Sequence, residues 1–331
     1  MCEYLCDDND LIRGYETMKI TKMHGIGNDY VYIDCTKQGI EDPSSLAIAI
    51  SDRHFGVGSD GLILIKPSDK ADFMMDMYNA DGSRGMMCGN GIRCVGKYVY
   101  DHGLTDKKII TIETLSGIKT LNLFIKPVEE VLGYQAVSNK GYVVYEATVN
   151  MGAPVFEPDD VPVILSEGYA PKKLSSIIDM SSMKDMGLMS DEKVVIKMPI
   201  IVNDAFYNST CISMGNPHAV VFVDDVDNFP IETVGPKFEN NRLFPERVNT
   251  EFVQIIDRNT VKMRVWERGS GETFACGTGA CATVVACVLN EKTDSEVTVR
   301  LLGGDLKIRW DMESGSVFMT GPATTVFEAY L

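Results

Sequence analysis

Two stretches of this chain carry one uncommon pattern, a cysteine followed by a glycine-rich run that opens a helix: Met87-Cys-Gly-Asn-Gly91 and Ala275-Cys-Gly-Thr-Gly279. The cysteines stand 188 positions apart, Gly27-Asn28 and Gly215-Asn216 stand apart by the same 188, and Leu115-Ser-Gly117 and Leu302-Gly-Gly304 by 187. A single coincidence of this kind is cheap, but three at nearly one offset predict a duplicated unit of well over roughly a hundred residues. Two such halves meeting about a pseudo-two-fold axis bring two helix-start cysteines face to face. The length of 331 residues and an apolar share of 45% are enough for two cores.

A thiol at a helix start faces unpaired backbone N–H groups and the positive end of the helix dipole, which favour the thiolate. Two of them on opposite sides of one carbon suit the inversion of a stereocentre, in which one face loses a proton while the other gains one. The N–H groups of Gly89-Asn90 and Gly277-Thr278 are placed to grip a carboxylate and stabilise the charge that develops on it. No lysine sits in a pyridoxal-like context, so the expected design has no cofactor.

Around these motifs the chain reads as strands broken by turns. A strand at Lys19–Met23, a tight turn at His24–Asn28 and a returning strand at Tyr30–Asp34 lead to a helix that Asp42-Pro43 starts and that runs to His54. Strands at Leu62–Lys66 and Phe73–Tyr78 precede the Cys88 helix, expected over Ile92–Asp101 and closed by Gly103. In the second half a strand at Val261–Trp266 delivers Glu267-Arg268 to the Cys276 turn, before a helix at Ala280–Asn290. The pattern is that of a mostly antiparallel sheet. Residues 157–192 are less periodic, with a short helix expected near Ser175–Asp179.

The formal charge of −16 repels phosphate backbones and anionic lipid, so neither nucleic acid nor a membrane is an expected partner. Nine cysteines with no signal peptide read as a reduced cytoplasmic chain. Their spacings lack a Cys-x2-Cys pair and there are four histidines, so no metal site is expected.

Taken together, Met23-His-Gly-Ile-Gly-Asn-Asp29, Tyr78-Asn-Ala-Asp-Gly-Ser83, Met87-Cys-Gly-Asn-Gly91, Met214-Gly-Asn-Pro-His218, Pro245-Glu-Arg-Val-Asn249 and Glu267–Gly279 resemble the diaminopimelate epimerase family from about Met18 onward. The resemblance implies an α+β fold of two pseudo-symmetric domains, each a mixed, mostly antiparallel sheet wrapped around a central α-helix. It implies interconversion of LL- and meso-diaminopimelate, in lysine and peptidoglycan biosynthesis, without pyridoxal phosphate. Cys88 and Cys276 are then the acid–base pair. Asn28, Asn79, Asn216, Asn249, Glu267 and Arg268 bind substrate, Gly89-Asn90 and Gly277-Thr278 hold the carboxylate, and His218 and Glu267 tune the thiols. Expected boundaries are an extension over 1–17, a first domain of 18–146 plus 318–331, and a second of 147–317; a homodimer is expected. One departure stands out, since Gly61 occupies a position where many members carry a substrate-contacting glutamine. Proline racemases share the Cys-Gly-x-Gly motifs, but Arg268 with several asparagines suits a second amino-acid head, which proline lacks. A thiol redox sensor or a cysteine hydrolase is the reading from another class, and a hydrolase leaves the second cysteine unexplained.

Overall fold

The computed structural model describes residues 18–331 apart from 38, 132–137, 139 and 179–191. The expected extension 1–17 lies outside the described residues. Of the helix expected near Ser175–Asp179, the structure has a single 3-10 turn, Leu174–Ser176, with Asp179 outside the described residues.

The first repeat begins with β1 (Lys19–Gly25) and β2 (Asn28–Asp34), after which α1 (Pro43–Ser51) crosses to β3 (Gly61–Lys66), parallel to β2. Strand β4 (Phe73–Asn79) returns antiparallel, the two-residue β5 (Arg84–Gly85) hangs from it, and α2 (Gly89–Asp101) follows. Strand β6 (Ile109–Thr114) lies parallel to β4 and continues into β7 (Gly117–Pro127) and β8 (Tyr142–Gly152).

After β9 (Lys172–Lys173) and β10 (Lys193–Val202) the chain takes the same path again. It runs through β11 (Ala205–Ser213), β12 (Pro217–Phe222), α3 (Ile231–Glu239), β13 (Asn249–Asp257) parallel to β12, and β14 (Thr260–Glu267). Then come β15 (Gly271–Thr273), α4 (Gly277–Leu289), β16 (Glu296–Leu301) parallel to β14, β17 (Gly304–Trp310) and β18 (Val317–Pro322). The last strand, β19 (Thr324–Tyr330), pairs with β1.

The repeat holds to the residue. In the parallel ladders Tyr30 faces Gly61 and His218 faces Asn249; in the antiparallel ones Leu62 faces Tyr78 and Thr250 faces Trp266, all related by the 188-residue shift. Past the helices Phe73 faces Ile112 and Val261 faces Val299, where the offset has dropped to 187. The sheet is therefore mixed, with one parallel pair made across each of the helices α1, α2, α3 and α4. The two halves join where β8 pairs antiparallel with its counterpart β18, and we propose that the domain boundary follows this ladder.

The helices α2 and α4 sit at the centre. Every residue of α2 is buried, including Arg93, Lys97 and Asp101 on one stripe at i, i+4 spacing. Lys97 satisfies Asp101 at 2.6 Å and the Val144 carbonyl at 2.7 Å. Helix α4 is built from small apolar residues, which lets the sheet of the second half close around it. The largest apolar cluster runs through both helices and both halves, while smaller clusters cover the outer helices α1 and α3. The helix starts are local chemistry: Asp42 caps α1 by accepting from Ser45 N at 3.0 Å, with Pro43 in the first position. Gly103, at φ 75°, closes α2 in the left-handed conformation.

Candidate active site

Each cysteine is the N-cap of a central helix: Cys88 for α2 and Cys276 for α4. The Cys88 sulfur takes the place of the usual capping oxygen and accepts from Gly91 N at 3.3 Å. Helices α2 and α4 thus start one residue behind the expected cysteines, at Gly89 and Gly277, three residues ahead of where the apolar pattern begins. Glycine carries the first turn of both.

Both thiols line one cavity of about 360 Å³, together with Asn28, Asn79, Gly89, Asn90, Asn216, Glu267, Arg268, Gly277 and Thr278. That volume is at the lower end for small-molecule sites. It opens through Asn28, Tyr30, Asn79, Glu267 and Arg268 into an outer cleft of about 1120 Å³. Strand ends deliver these residues. Ile26 and Gly27, both at positive φ (47° and 87°), turn β1 into β2 and present Asn28 at the start of β2. Asn79 and Glu267, which the repeat relates, end β4 and β14.

His218 and Asn249 lie behind the cavity wall. Asn249 is 4% exposed and both ends of its amide are taken by backbone: Nδ2 donates to the Pro217 carbonyl at 3.2 Å and Oδ1 accepts from Arg268 N at 2.8 Å. Asn249 therefore holds the turn that presents Arg268. The Arg268 guanidinium bonds the Glu246 carbonyl through Nη1 at 2.9 Å and has no ion pair among the described residues, so it faces the cavity as a cation with spare donors.

Fully buried His218 is tied to Glu251 (Nδ1···Oε1, 2.7 Å), which is equally buried, and to Asn216 (Nε2···Oδ1, 3.0 Å). Glu251 Oε2 has no partner. Glu251 gives no signal in the sequence, because in Thr250-Glu-Phe252 it looks like one more polar residue in an alternating strand. Tyr30, the counterpart of His218 in the first half, is equally silent in the sequence, yet it lines the cavity together with Cys88.

The electrostatics differ from the expectation that a helix start favours the thiolate. Burial pushes the Cys88 thiol above its ordinary value, and the N–H groups of Gly91 and Asn90 offset this only in part. The Cys276 thiol is pushed much higher, by burial and then by the negative charges of Glu267 and Glu251. Burial also raises Glu267, which Thr273 and Cys276 counter by hydrogen bonding, and Glu251, which His218 counters. Desolvation and carboxylates outweigh the dipole, so the resting site stores protons. Both thiols feel Glu267, but Cys276 has Glu251 as a second carboxylate, whereas Cys88 has the Tyr30 phenol and the Asn28 amide. The two sides are chemically unlike although the backbone repeats.

A family profile described as diaminopimelate epimerase matches residues 20–135 and 210–326, one segment in each repeat. Among curated proteins, the diaminopimelate epimerase of Agathobacter rectalis is 54% identical over 310 residues, covering 94% of this chain and 98% of the relative. That of Methanococcus maripaludis is 50% identical over 311 residues, covering 94% and 98%. Among solved structures, a PhzF-family phenazine biosynthesis protein from Bacillus anthracis superposes with a TM-score of 0.61 at 18% identity, covering 96% of this chain and 99% of that one. A hydroxyproline epimerase from Agrobacterium vitis, with bound trans-4-hydroxy-L-proline, gives 0.57 at 12% identity, covering 96% and 91%. At these identities the two structures show a shared fold.

Proposed function

The chain belongs to the diaminopimelate epimerase family, and we propose that it interconverts LL- and meso-diaminopimelate, in lysine biosynthesis and without a cofactor, using Cys88 and Cys276 as the two acid–base groups. The observation that carries this reading is that the N-cap cysteines of two repeat-related helices line one small cavity. With the α-carbon between them, one sulfur removes its proton as thiolate and the other, as thiol, delivers a proton to the opposite face; the reverse reaction exchanges the roles.

The first N–H groups of α2 and α4, at Gly89-Asn90 and Gly277-Thr278, have no acceptor within their helices. They bind the α-carboxylate and stabilise the charge that builds up on it when the α-proton leaves. Glu267 acts on Cys276 from the same cavity and serves as its proton partner; His218, paired with Glu251, faces Asn216 rather than the sulfur and lies behind that wall. Asn28, Asn79 and Asn216 contact the substrate from the cavity wall, and Arg268 pairs with the carboxylate of the non-reacting centre. Asn249 acts by holding Arg268.

The β19 edge exposes Val326, Phe327, Tyr330 and Leu331, an apolar strip that supports a homodimer. The seven cysteines of the described residues are all free, which supports a reducing, cytoplasmic setting, and no helix among those residues is long and apolar enough to cross a membrane. The test of function is exchange of the α-proton of LL-diaminopimelate in heavy water, with inversion, using proline and histidine as controls. Exchange with proline and none with diaminopimelate overturns the substrate assignment.

A further inference from the structure

Among the described residues no ion of opposite charge pairs with Arg93, a cation in the middle of the protein. It is 0% exposed, yet its partners among the described residues are all neutral: the Gly89 carbonyl (Nη1, 3.2 Å), Asn90 Oδ1 (Nη2, 3.0 Å), the Pro322 carbonyl (Nε, 3.2 Å) and the Met319 sulfur (3.7 Å). Two glycines make room for it. A Cβ on Gly25 would lie 2.9 Å from Nη2, and one on Gly321 would lie 3.3 Å from Cζ and Nε. Burying a charge without an ion of opposite sign is costly, and an apolar side chain of similar volume serves stability as well or better. Stability alone therefore does not account for a guanidinium here.

Its hydrogen bonds lead to Cys88. A guanidinium only donates, so the Asn90 atom facing Arg93 is the oxygen and the Asn90 amide nitrogen points the other way. That nitrogen donates to the Ala275 carbonyl at 3.2 Å, next to Cys276, and toward Asn28 Oδ1 at 3.5 Å. At the far end a carboxylate only accepts, so Asn28 turns its nitrogen to Asp60 Oδ2 at 2.8 Å and its oxygen inward. The inward oxygen is the atom that takes the Cys88 thiol proton at 3.1 Å. Asp60 is itself fixed by Asp29 N at 3.0 Å and Arg53 Nη2 at 2.8 Å. The line Arg93–Asn90–Asn28–Asp60 thus has a pure donor at one end and a pure acceptor at the other, and neither amide can flip without setting like against like.

We propose that Arg93 and Asp60 are positioning residues that lock the Asn90 and Asn28 amides and so hold Cys88 as a thiol facing an oxygen, ready to give its proton. This rests on the acid–base role assigned to Cys88 above. In the second half the counterpart of Asn28, Asn216, is held by His218 and Glu251 instead, so the device belongs to one side of the site.

The test reads the thiol itself, without substrate. Iodoacetamide labelling of Cys88 and Cys276 is followed by peptide mass spectrometry as a function of pH, in the wild-type chain, Arg93→Met and Asp60→Asn. Tyr30 from β2 and Glu267 from β14 also face Cys88 and are the same in all three. Loss of the cation disfavours the thiolate, so Arg93→Met moves the Cys88 midpoint up. Asp60→Asn removes a negative charge and frees Asn28 to turn its N–H toward the sulfur, so the midpoint moves down. Each shift is about one pH unit, the size of one hydrogen bond to a charged group. The Cys276 midpoint stays in place. In turnover, both variants lose about tenfold in kcat with little change in KM.

A purely structural role predicts shifts of the same sign or none, and a role of charge alone predicts opposite shifts with kcat unchanged; each of these results overturns the proposal. Asp60 lies at the cavity mouth, so Asp60→Asn remains informative if Arg93→Met does not fold; an unmoved Cys88 midpoint in that variant is sufficient to refute the lock. If the midpoints move as stated while diaminopimelate is not epimerised, the substrate assignment fails and the lock stands.

Discussion

Removing His218 should cost stability in a pH-dependent way that a second substitution repairs. In His218→Phe the ring remains but both nitrogens go, leaving Glu251, 0% exposed and already with one unpartnered oxygen, without any side-chain partner. Breaking a buried pair from one side costs about 3–5 kcal/mol, whereas replacing both members by apolar groups is close to neutral. The sign follows from the carboxyl. Burial holds Glu251 above its ordinary value, and losing the imidazole raises it further. The folded state then keeps a proton that the unfolded state releases, so stability is highest below the unfolded carboxyl pKa and falls as pH rises. The fall is about 1.4 kcal/mol per unit until the folded pKa is reached. For a chain of this size each kcal/mol moves Tm by roughly 2 °C. Thermal melts at pH 6 and pH 8 should therefore show His218→Phe about 6–10 °C below wild type at pH 8 and distinctly closer at pH 6. The double variant His218→Phe/Glu251→Met should recover most of the loss at both. A pH-independent deficit, or a double variant no better than the single one, refutes the buried-pair argument.

Cys88→Ala and Cys276→Ala should each abolish epimerisation, since a one-sided site cannot serve both faces, while the serine variants retain more activity than the alanine ones; isotope exchange with chiral product analysis decides it. Gly279→Ala should lower kcat/KM at least about tenfold, because the new Cβ would stand 2.5 Å from Glu251 Oε1 and 3.2 Å from the Cys276 sulfur, whereas at Gly39 nothing lies within 4 Å and the same change should be silent. Arg268→Lys should cost about 2–4 kcal/mol in kcat/KM on diaminopimelate, because an ammonium cannot form the forked carboxylate pair. Comparable losses on lysine, which lacks the distal carboxylate, would place Arg268 at the reacting centre instead.

What could be read from the chain and what could not divides along a physical line. The cysteine motifs, Asp42-Pro43 and Gly103 act within a few residues, and their local chemistry announced the helices to within about three positions. The two-residue strand β5 has no pattern of its own and exists only through its pairing with β4. Glu251 alternates as a strand residue should, and nothing nearby in the chain says that a histidine two positions off its register on the neighbouring strand reaches its carboxyl. Arg93 reads as an ordinary helix formation residue; only the closing of β18 over α2 shows that it is enclosed. The expectation of thiolates at the helix starts failed for the same reason, because burial by the surrounding sheets opposes the dipole at both thiols and, at Cys276, carboxylates arriving from β13 and β14 add to it.

The pairing of β1 with β19 bears on how the protein is made. Synthesis delivers β1 before any other described strand and β19 after all of them, so the outer edge of β1 stays open while the whole of the second repeat is translated. An exposed strand edge of this kind is a template for wrong partners, including the β1 of another nascent copy. The first repeat, although complete in its own helices, cannot finish its sheet by itself, and its closure becomes the final, long-range event of folding. Among the described strands, the first and last to emerge are neighbours in the finished molecule.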